Sequence, residues 1–220
     1  MDELAKLLRD FGPAFGRAFL VTWKLTAISF TLGLLLGIAL TVLRVLPIRL
    51  LKLAIGAYIE IFRNIPSAAL LIMIVFALPY LNVVIDYEPS VILTLVLVCS
   101  AFAADNLRSG IKTIAAGQVE AAYSLGLSLL QTTFIVVLPQ ALRAVVQPMT
   151  SLLIGLMLTT AIASQVPVSA RELTGLVDKI NTETASGILT FAIAAAMYVA
   201  SGLLLSWAGA WLDKKARFVR

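Results

Sequence analysis

A chain of 220 residues that is 60% hydrophobic and only 13% charged has too little polar surface to cover a soluble globule, so its solvent is a bilayer. With no histidine and a single cysteine, Cys99, it lacks the commonest transition-metal ligand, the usual neutral-pH general base and any intrachain disulfide, which argues against catalysis. The net charge of +5 is accounted for by loop placement below, without invoking nucleic acid.

In chain order, Met1-Asp2-Glu3 opens acidic, with no compact apolar core and cleavage site after it, so the mature chain is expected to begin at Met1. Leu4, Leu7, Leu8 and Phe11 recur at helical spacing against Asp2, Glu3, Lys6, Arg9 and Asp10, which predicts a short interfacial helix stopped by Gly12-Pro13. Five apolar stretches then approach the roughly 20 residues that a crossing of about 30 Å requires. They are Ala18–Leu43, Asn64–Asn82, Pro89–Ala104, Val145–Pro167 and Gly187–Leu212, the second and third only just long enough. A single all-α membrane domain over residues 1–220 follows, with a polar cytoplasmic segment at about 111–143.

Lysine and arginine fall unevenly among the loops. Arg44, Arg49, Lys52 and Arg63, then Arg108, Lys112 and Arg143, then Lys214, Lys215, Arg217 and Arg220 lie on one side. The other side dilutes Lys6, Arg9, Arg17, Lys24, Arg171 and Lys179 with most of the acids. The positive-inside rule therefore puts the carboxyl end in the cytoplasm and, with five spans, the amino end outside.

Five segments interrupt the oil. Glu60-Ile61-Phe62-Arg63 and Asp105-Asn106-Leu107-Arg108 each set an acid and a base three residues apart. Each helix could neutralise itself or exchange partners across the bundle, in a structural or gating role or as a plain interfacial anchor. Between Gly117 and Arg143 the chain is polar and sharply punctuated. Glu120 is expected in the first turn of a short helix, where unpaired backbone N–H groups favour a carboxylate. Gly126 ends that helix, Ala121 and Ala122 leave one face open to close contact, and Ser128-Leu129-Leu130-Gln131 has the form of a capping box starting a second helix that Pro139 disturbs. In the fourth stretch Thr159, Thr160 and Gln165 seek the bundle interior, either for helix packing or to line a solute path. Outside the membrane, Ser169-Ala170-Arg171-Glu172 reads as another capping box before an amphipathic helix. Its stripe is Leu173, Leu176, Val177 and Ile180, with Arg171, Glu172, Asp178, Lys179 and Glu183 toward water or a partner.

The spacing Glu120-Ala121-Ala122, three residues, Gly126, then Leu138-Pro139-Gln140-Ala141-Leu142-Arg143 resembles the EAA loop of ABC importer permeases, and in particular the polar amino-acid permeases. Glu60 to Pro66 and Asp105 to Gly110 are similar to further segments of that family, with Asp105 where Glu is usual. In the fourth span Thr159 matches, while Met157 stands where the family commonly has Lys and Thr160 where it has Ser. The resemblance implies a type I ABC importer permease fold in the bacterial cytoplasmic (inner) membrane. It implies Glu120, Ala121, Ala122, Gly126, Leu138 and Pro139 as the elements that couple to a cytoplasmic ATPase dimer. A second permease subunit and an extracytoplasmic solute-binding protein are the other implied partners, beside lipid. The solute would be a small polar one, an amino acid by resemblance, moved by alternating access. No Gly-x4-Gly-Lys-Ser/Thr loop occurs, so the chain is expected to need no cofactor of its own, ATP and Mg belonging to the partner. The rival reading is a secondary carrier or channel independent of ATP, for which deep ionisable residues and internal repeats are lacking.

Overall fold

The computed structural model describes residues 2–184 and 187–216, and these form helices without a strand among the described residues. Arg217 and Arg220 of the basic tail lie outside the described residues. The helices are α1 (Asp2–Val45), α2 (Arg49–Asn64), α3 (Ser67–Leu81), α4 (Tyr87–Ile111), α5 (Ala116–Ser124), α6 (Leu129–Ala144), α7 (Val146–Gln165), α8 (Leu173–Thr184) and α9 (Gly187–Ala216). Four of them, within α1, α4, α7 and α9, are long and apolar enough to cross a membrane, and α2 with α3 makes a fifth span if that broken pair is one crossing.

Two expectations are corrected here. Pro13 does not stop a short interfacial helix, because α1 runs unbroken from Asp2 to Val45. Proline inside a helix costs about 3 kcal/mol. The same stretch buries Leu7, Phe15 and Ala18 against α8 and α9, and large apolar side chains each contribute about 1.5–3 kcal/mol, so packing outweighs the lost backbone bond. The second stretch, predicted as one span over Asn64–Asn82, starts only after a break at Ile65-Pro66, where Pro66 is extended at φ −60° and ψ 128°. α3 then changes pitch, with a π-turn at Met73–Ala77 and a 3₁₀ turn at Leu78–Leu81. Asn82 closes it in the left-handed conformation at φ 61°.

The chain packs as two units. One comprises residues up to Thr31 with Ile65–Val96 and Leu153–Leu204. Its core joins Leu7, Phe15 and Ala18 of α1 to Leu173, Leu176, Val177 and Ile180 of α8 and Ala194 of α9. Thr22 ties these together: its hydroxyl donates to the Ala18 carbonyl at 3.1 Å and accepts from the Leu173 N–H at 3.2 Å.

The other unit comprises Leu32–Asn64, Leu97–Leu152 and the chain from Leu205 on. Here α1 and α4 meet through small residues. A Cβ on Gly33 would stand 2.7 Å from the Cys99 side chain, and one on Gly37 would stand 2.7 Å from the Ala103 Cβ. The Gly-x3-Gly pattern thus lets two backbones touch, as small residues do between membrane helices. α2 joins α4 through Ile55, Ile59 and Ala104, with the Tyr58 and Ser100 hydroxyls 2.7 Å apart.

In both units some hydroxyls are interior while many large apolar side chains are exterior. Thr26, Thr41 and Thr94 are buried and donate to the carbonyl four residues back, while Leu20, Phe191, Leu203 and Trp207 are exposed. That distribution suits a lipid solvent.

Candidate functional site

The punctuated segment is built from backbone chemistry. α4 ends at Ile111, and the Thr113 hydroxyl donates to the Gly110 carbonyl at 2.7 Å. After Ala115, α5 runs from Ala116 to Ser124. Its end is a complete left-handed cap: the Gly126 N–H donates to the Tyr123 carbonyl at 2.9 Å and the Leu127 N–H to the Ala122 carbonyl at 3.1 Å. This requires Gly126 at φ +82°, a region glycine enters without penalty. Ser128 then opens α6 with the expected reciprocal box, its N–H donating to Gln131 Oε1 at 2.8 Å and its Oγ accepting from the Gln131 N–H at 3.4 Å. α6 continues through Pro139 by re-registering as a π-turn at Thr132–Val137, just ahead of the residue that lacks an N–H. α5 packs on that π-turn, and the Gln140 amide donates to the Val136 carbonyl at 2.9 Å.

This geometry sorts the segment's residues. Glu120 is not in the first turn: the helix starts at Ala116, a better helix former than Gly117, which makes Glu120 the fifth helical residue, exposed beside Ser124. Ala121 is exposed, whereas Ala122 is 3% exposed and turned into the unit, so the two alanines do not share an open face. Leu138 is buried and Pro139 half-buried, holding α6 in place. On α5 and its cap the outward apolar surface comes from residues that motif spacing does not mark, Tyr123 at 45% and Leu125 at 82% exposure. The signal available for them was two large apolar residues flanking a helix end in an otherwise polar stretch.

Of the four membrane-edge charges, one base and one acid pair across helices, and neither pairs within its own. Arg63 of α2 meets Asp105 of α4 at 2.9 Å, both side chains about a third exposed at 34% and 30%. The Arg63 guanidinium also lies 5.3 Å from the Phe102 ring centroid, a cation–π arrangement. Glu60 instead receives the Asn64 amide, on its backbone carbonyl at 2.7 Å and on its carboxylate Oε2 at 3.4 Å, and Arg108 is exposed.

In α7 the candidate path residues do not converge. Thr159 donates to the Gly155 carbonyl at 2.7 Å, and Thr160, fully buried, donates to the Met157 carbonyl at 2.6 Å. Gln165 is exposed at the end of the 3₁₀ turn Thr160–Gln165. Met157 is itself fully buried, an apolar filler at the position where the resemblance led one to look for a lysine.

The outer helix α8 carries a further correction. Its cap is Glu172 rather than Ser169: Oε2 accepts the Thr174 N–H at 2.7 Å and Oε1 the Gly175 N–H at 2.6 Å. The Tyr198 hydroxyl donates to Oε2 at 3.0 Å. Glu172 is therefore fully buried and does not face water or a partner. Burial pushes its pKa up, against the opposing pull of those three donors. Leu173, Leu176, Val177 and Ile180 are buried as the periodicity requires, and Asp178, Lys179 and Glu183 are exposed.

A set of lipid-length helices with inward hydroxyls, carrying one short capped elbow on a polar loop, defines a multi-pass membrane protein. Residues 29–218 match the family described as binding-protein-dependent transport system inner membrane component, and the chain belongs to that family: it is the membrane permease subunit of an ABC importer. In such importers the ATPase is a separate partner. "Probable glutamine ABC transporter permease protein GlnP" of Bacillus subtilis (strain 168) is 36% identical over 216 residues, covering 97% of this chain and 98% of that protein. Glutamate transport system permease protein GluC of Corynebacterium glutamicum is 37% identical over 183 residues, covering 77% and 80%. A chain from the crystal structure of an amino acid ABC transporter with histidines superposes with a TM-score of 0.86 at 27% identity, covering 94% of this chain and 96% of that one.

Proposed function

We propose that this permease imports an amino acid across a bacterial cytoplasmic membrane. It receives the solute outside from a binding protein, pairs with itself or a sister permease, and takes its power stroke from an ATPase dimer through α5. ATP and Mg belong to that partner. The observation that carries the reading is the construction of α5. It is nine residues long, fixed at its far end by the Gly126 cap and at its flank by the π-turn of α6, and it shows Tyr123, Leu125, Glu120 and Ala121 outward. A rigid elbow with exposed apolar tips fits a groove on a second protein. Leu138 and Pro139 serve it by seating α6. Closure of the ATPase on ATP then moves α5 as a lever and rocks the bundle between its inward-open and outward-open forms. Arg63–Asp105 staples α2 to α4 so that the stroke is not lost in helix slippage. The homology to glutamine and glutamate permeases supports an amino-acid solute, while Thr159, Thr160 and Gln165 receive little support as its direct contacts.

The positive-inside count supports α5 and the carboxyl end in the cytoplasm and the amino end outside. Labelling tests both sidedness and docking. In a Cys99→Ala background, Gln118→Cys should react with an impermeant maleimide only in inside-out vesicles, and bound ATPase should protect Leu125→Cys. Labelling of residue 118 from outside intact cells would overturn the assignment. Uptake of a panel of amino acids in proteoliposomes, with ATP inside and a cognate binding protein outside, tests the solute class.

A further inference from the structure

Three cations from three helices converge on one cavity of about 280 Å³ in the unit that holds α2: Arg44 near the end of α1, Lys52 of α2 and Arg108 of α4. No carboxylate lines it, and among the described residues none of the three has an ion-pair or hydrogen-bond partner. The nearest acid by sequence, Asp105, is already held by Arg63 at 2.9 Å. Arg44 folds across toward α2, its Nη2 lying 3.7 Å from where a Cβ on Gly56 would sit. The guanidinium is thus aimed between helices and not trailing into water. The rest of the lining is Val45, Ile59, Ala104 and Ile111 with Thr41, whose hydroxyl is already donated to the Gly37 carbonyl at 2.8 Å, so it is mostly apolar.

Like charges gathered at one mouth repel, and at about 10 Å or less salt screens them only partly, so the arrangement calls for an anion. A free phosphate would satisfy the cations but gain nothing from the apolar floor. The cations also sit where the apolar runs of α1 and α4 end and that of α2 with α3 begins, the level at which lipid headgroups lie. We propose that this cavity is a binding site for one anionic phospholipid, its headgroup phosphate held by Arg44, Lys52 and Arg108 and the top of its acyl chains lying on Val45, Ile59 and Ile111. The chemistry is that of basic pockets between membrane helices that hold anionic headgroups, with the arginines offering forked donors and the lysine a point charge. The site needs only insertion in a membrane and is independent of which amino acid the chain imports or how α5 couples.

The test is native mass spectrometry of the full-length permease in its complex, released from nanodiscs of phosphatidylglycerol mixed with phosphatidylcholine. Wild type should retain one phosphatidylglycerol per permease chain at several-fold excess over phosphatidylcholine. The triple variant R44Q/K52Q/R108Q should lose that excess at least five-fold. K112Q, a cation just past the end of α4 that does not line the cavity, should leave it unchanged. R108Q alone, at an exposed position, serves if the triple variant fails to assemble, and should lower retention about two- to three-fold. Unchanged retention in both R108Q and the triple variant overturns the site, and equal loss in K112Q overturns it in favour of diffuse surface charge. Displacement of the lipid by millimolar inorganic phosphate, one for one, would show a soluble-anion site. Lipid retained by the permease alone but absent from its complex with the ATPase would show a protein carboxylate docking there, and either result refutes the lipid assignment.

Discussion

Replacing Gly126 isolates backbone conformation from size, because a Cβ built there meets nothing within 4 Å while φ stands at +82°. Space is therefore free, and any penalty comes from forcing an L residue into the left-handed region, about 1–2 kcal/mol. Asparagine enters that region far more readily than other non-glycine residues, and β-branched residues least readily. A shift of 1–2 kcal/mol changes the ratio of capped to frayed α5 by roughly 5- to 30-fold. If the capped elbow is what transmits the stroke, solute moved per ATP hydrolysed in proteoliposomes should fall in the order Gly126, Gly126→Asn, Gly126→Ala, Gly126→Val. Membrane insertion and helix content should not change across the series. The reasoning fails if Gly126→Val transports at the wild-type ratio. It fails equally if Gly126→Asn is as damaging as Gly126→Val, since volume or a lost partner contact, and not the cap, would then be responsible.

The Arg63–Asp105 staple is partly exposed, so a double-mutant cycle in thermal unfolding should give a coupling of only about 0.5–1 kcal/mol. Arg63→Lys should lose more than charge alone explains because it gives up the planar stack on Phe102. Gly37→Val drives side-chain atoms into Ala103 and the Ser100 carbonyl and should cost about 1–3 kcal/mol. Gly16→Ala, in the same helix but with nothing within 4 Å, should stabilise by about 0.5–1 kcal/mol, and a destabilised Gly16→Ala would undercut the packing argument. For Glu172 the sign follows from its raised folded pKa. The stabilising contribution is complete below the unfolded value of about 4.3 and is lost as pH rises through the raised folded value. Wild type should therefore lose Tm over that interval, and Glu172→Gln should flatten the slope. A slope that survives in Glu172→Gln assigns the titration to another group.

The sequence was most readable where a single local rule decides the outcome. Gly126 needed only the cost of positive φ, the Ser128–Gln131 box only two reciprocal hydrogen bonds, and the stripe from Leu173 to Ile180 only the 3.6-residue period. It misled where tertiary packing outvotes a local rule. Pro13 is a helix stop by propensity, yet Leu7 and Phe15 bury on both sides of it and carry the helix through. Ser169 fits a cap by local rule, yet Glu172 caps α8 instead, held there by a third donor from Tyr198, 26 residues away in sequence. The charge pairs were visible as two matched sets, but whether they paired within or between helices depended on how close α2 and α4 lie. That closeness is set by Ile55, Ile59 and Ala104, which no charge pattern reports.

The same contrast bears on where the solute travels. A threonine in a membrane helix reads from sequence as a polar group seeking either a neighbour or water, and both fates are open. In α7 both hydroxyls find a neighbour, since Thr159 donates to the Gly155 carbonyl and Thr160 to the Met157 carbonyl, each on the preceding turn. A hydroxyl so committed retains lone pairs but no donor, and can therefore greet an ammonium but not a carboxylate. With Met157 buried where a cation was looked for, this stretch of α7 offers no positive charge to a solute carboxylate. Recognition of that end of an amino acid then falls to other residues or to a partner permease. Thr159→Val should accordingly leave the apparent affinity for uptake within about two-fold of wild type, as read from the substrate dependence of transport in proteoliposomes. A ten-fold loss, worth about 1.4 kcal/mol, would return Thr159 to the solute path and refute the inference from its spent proton.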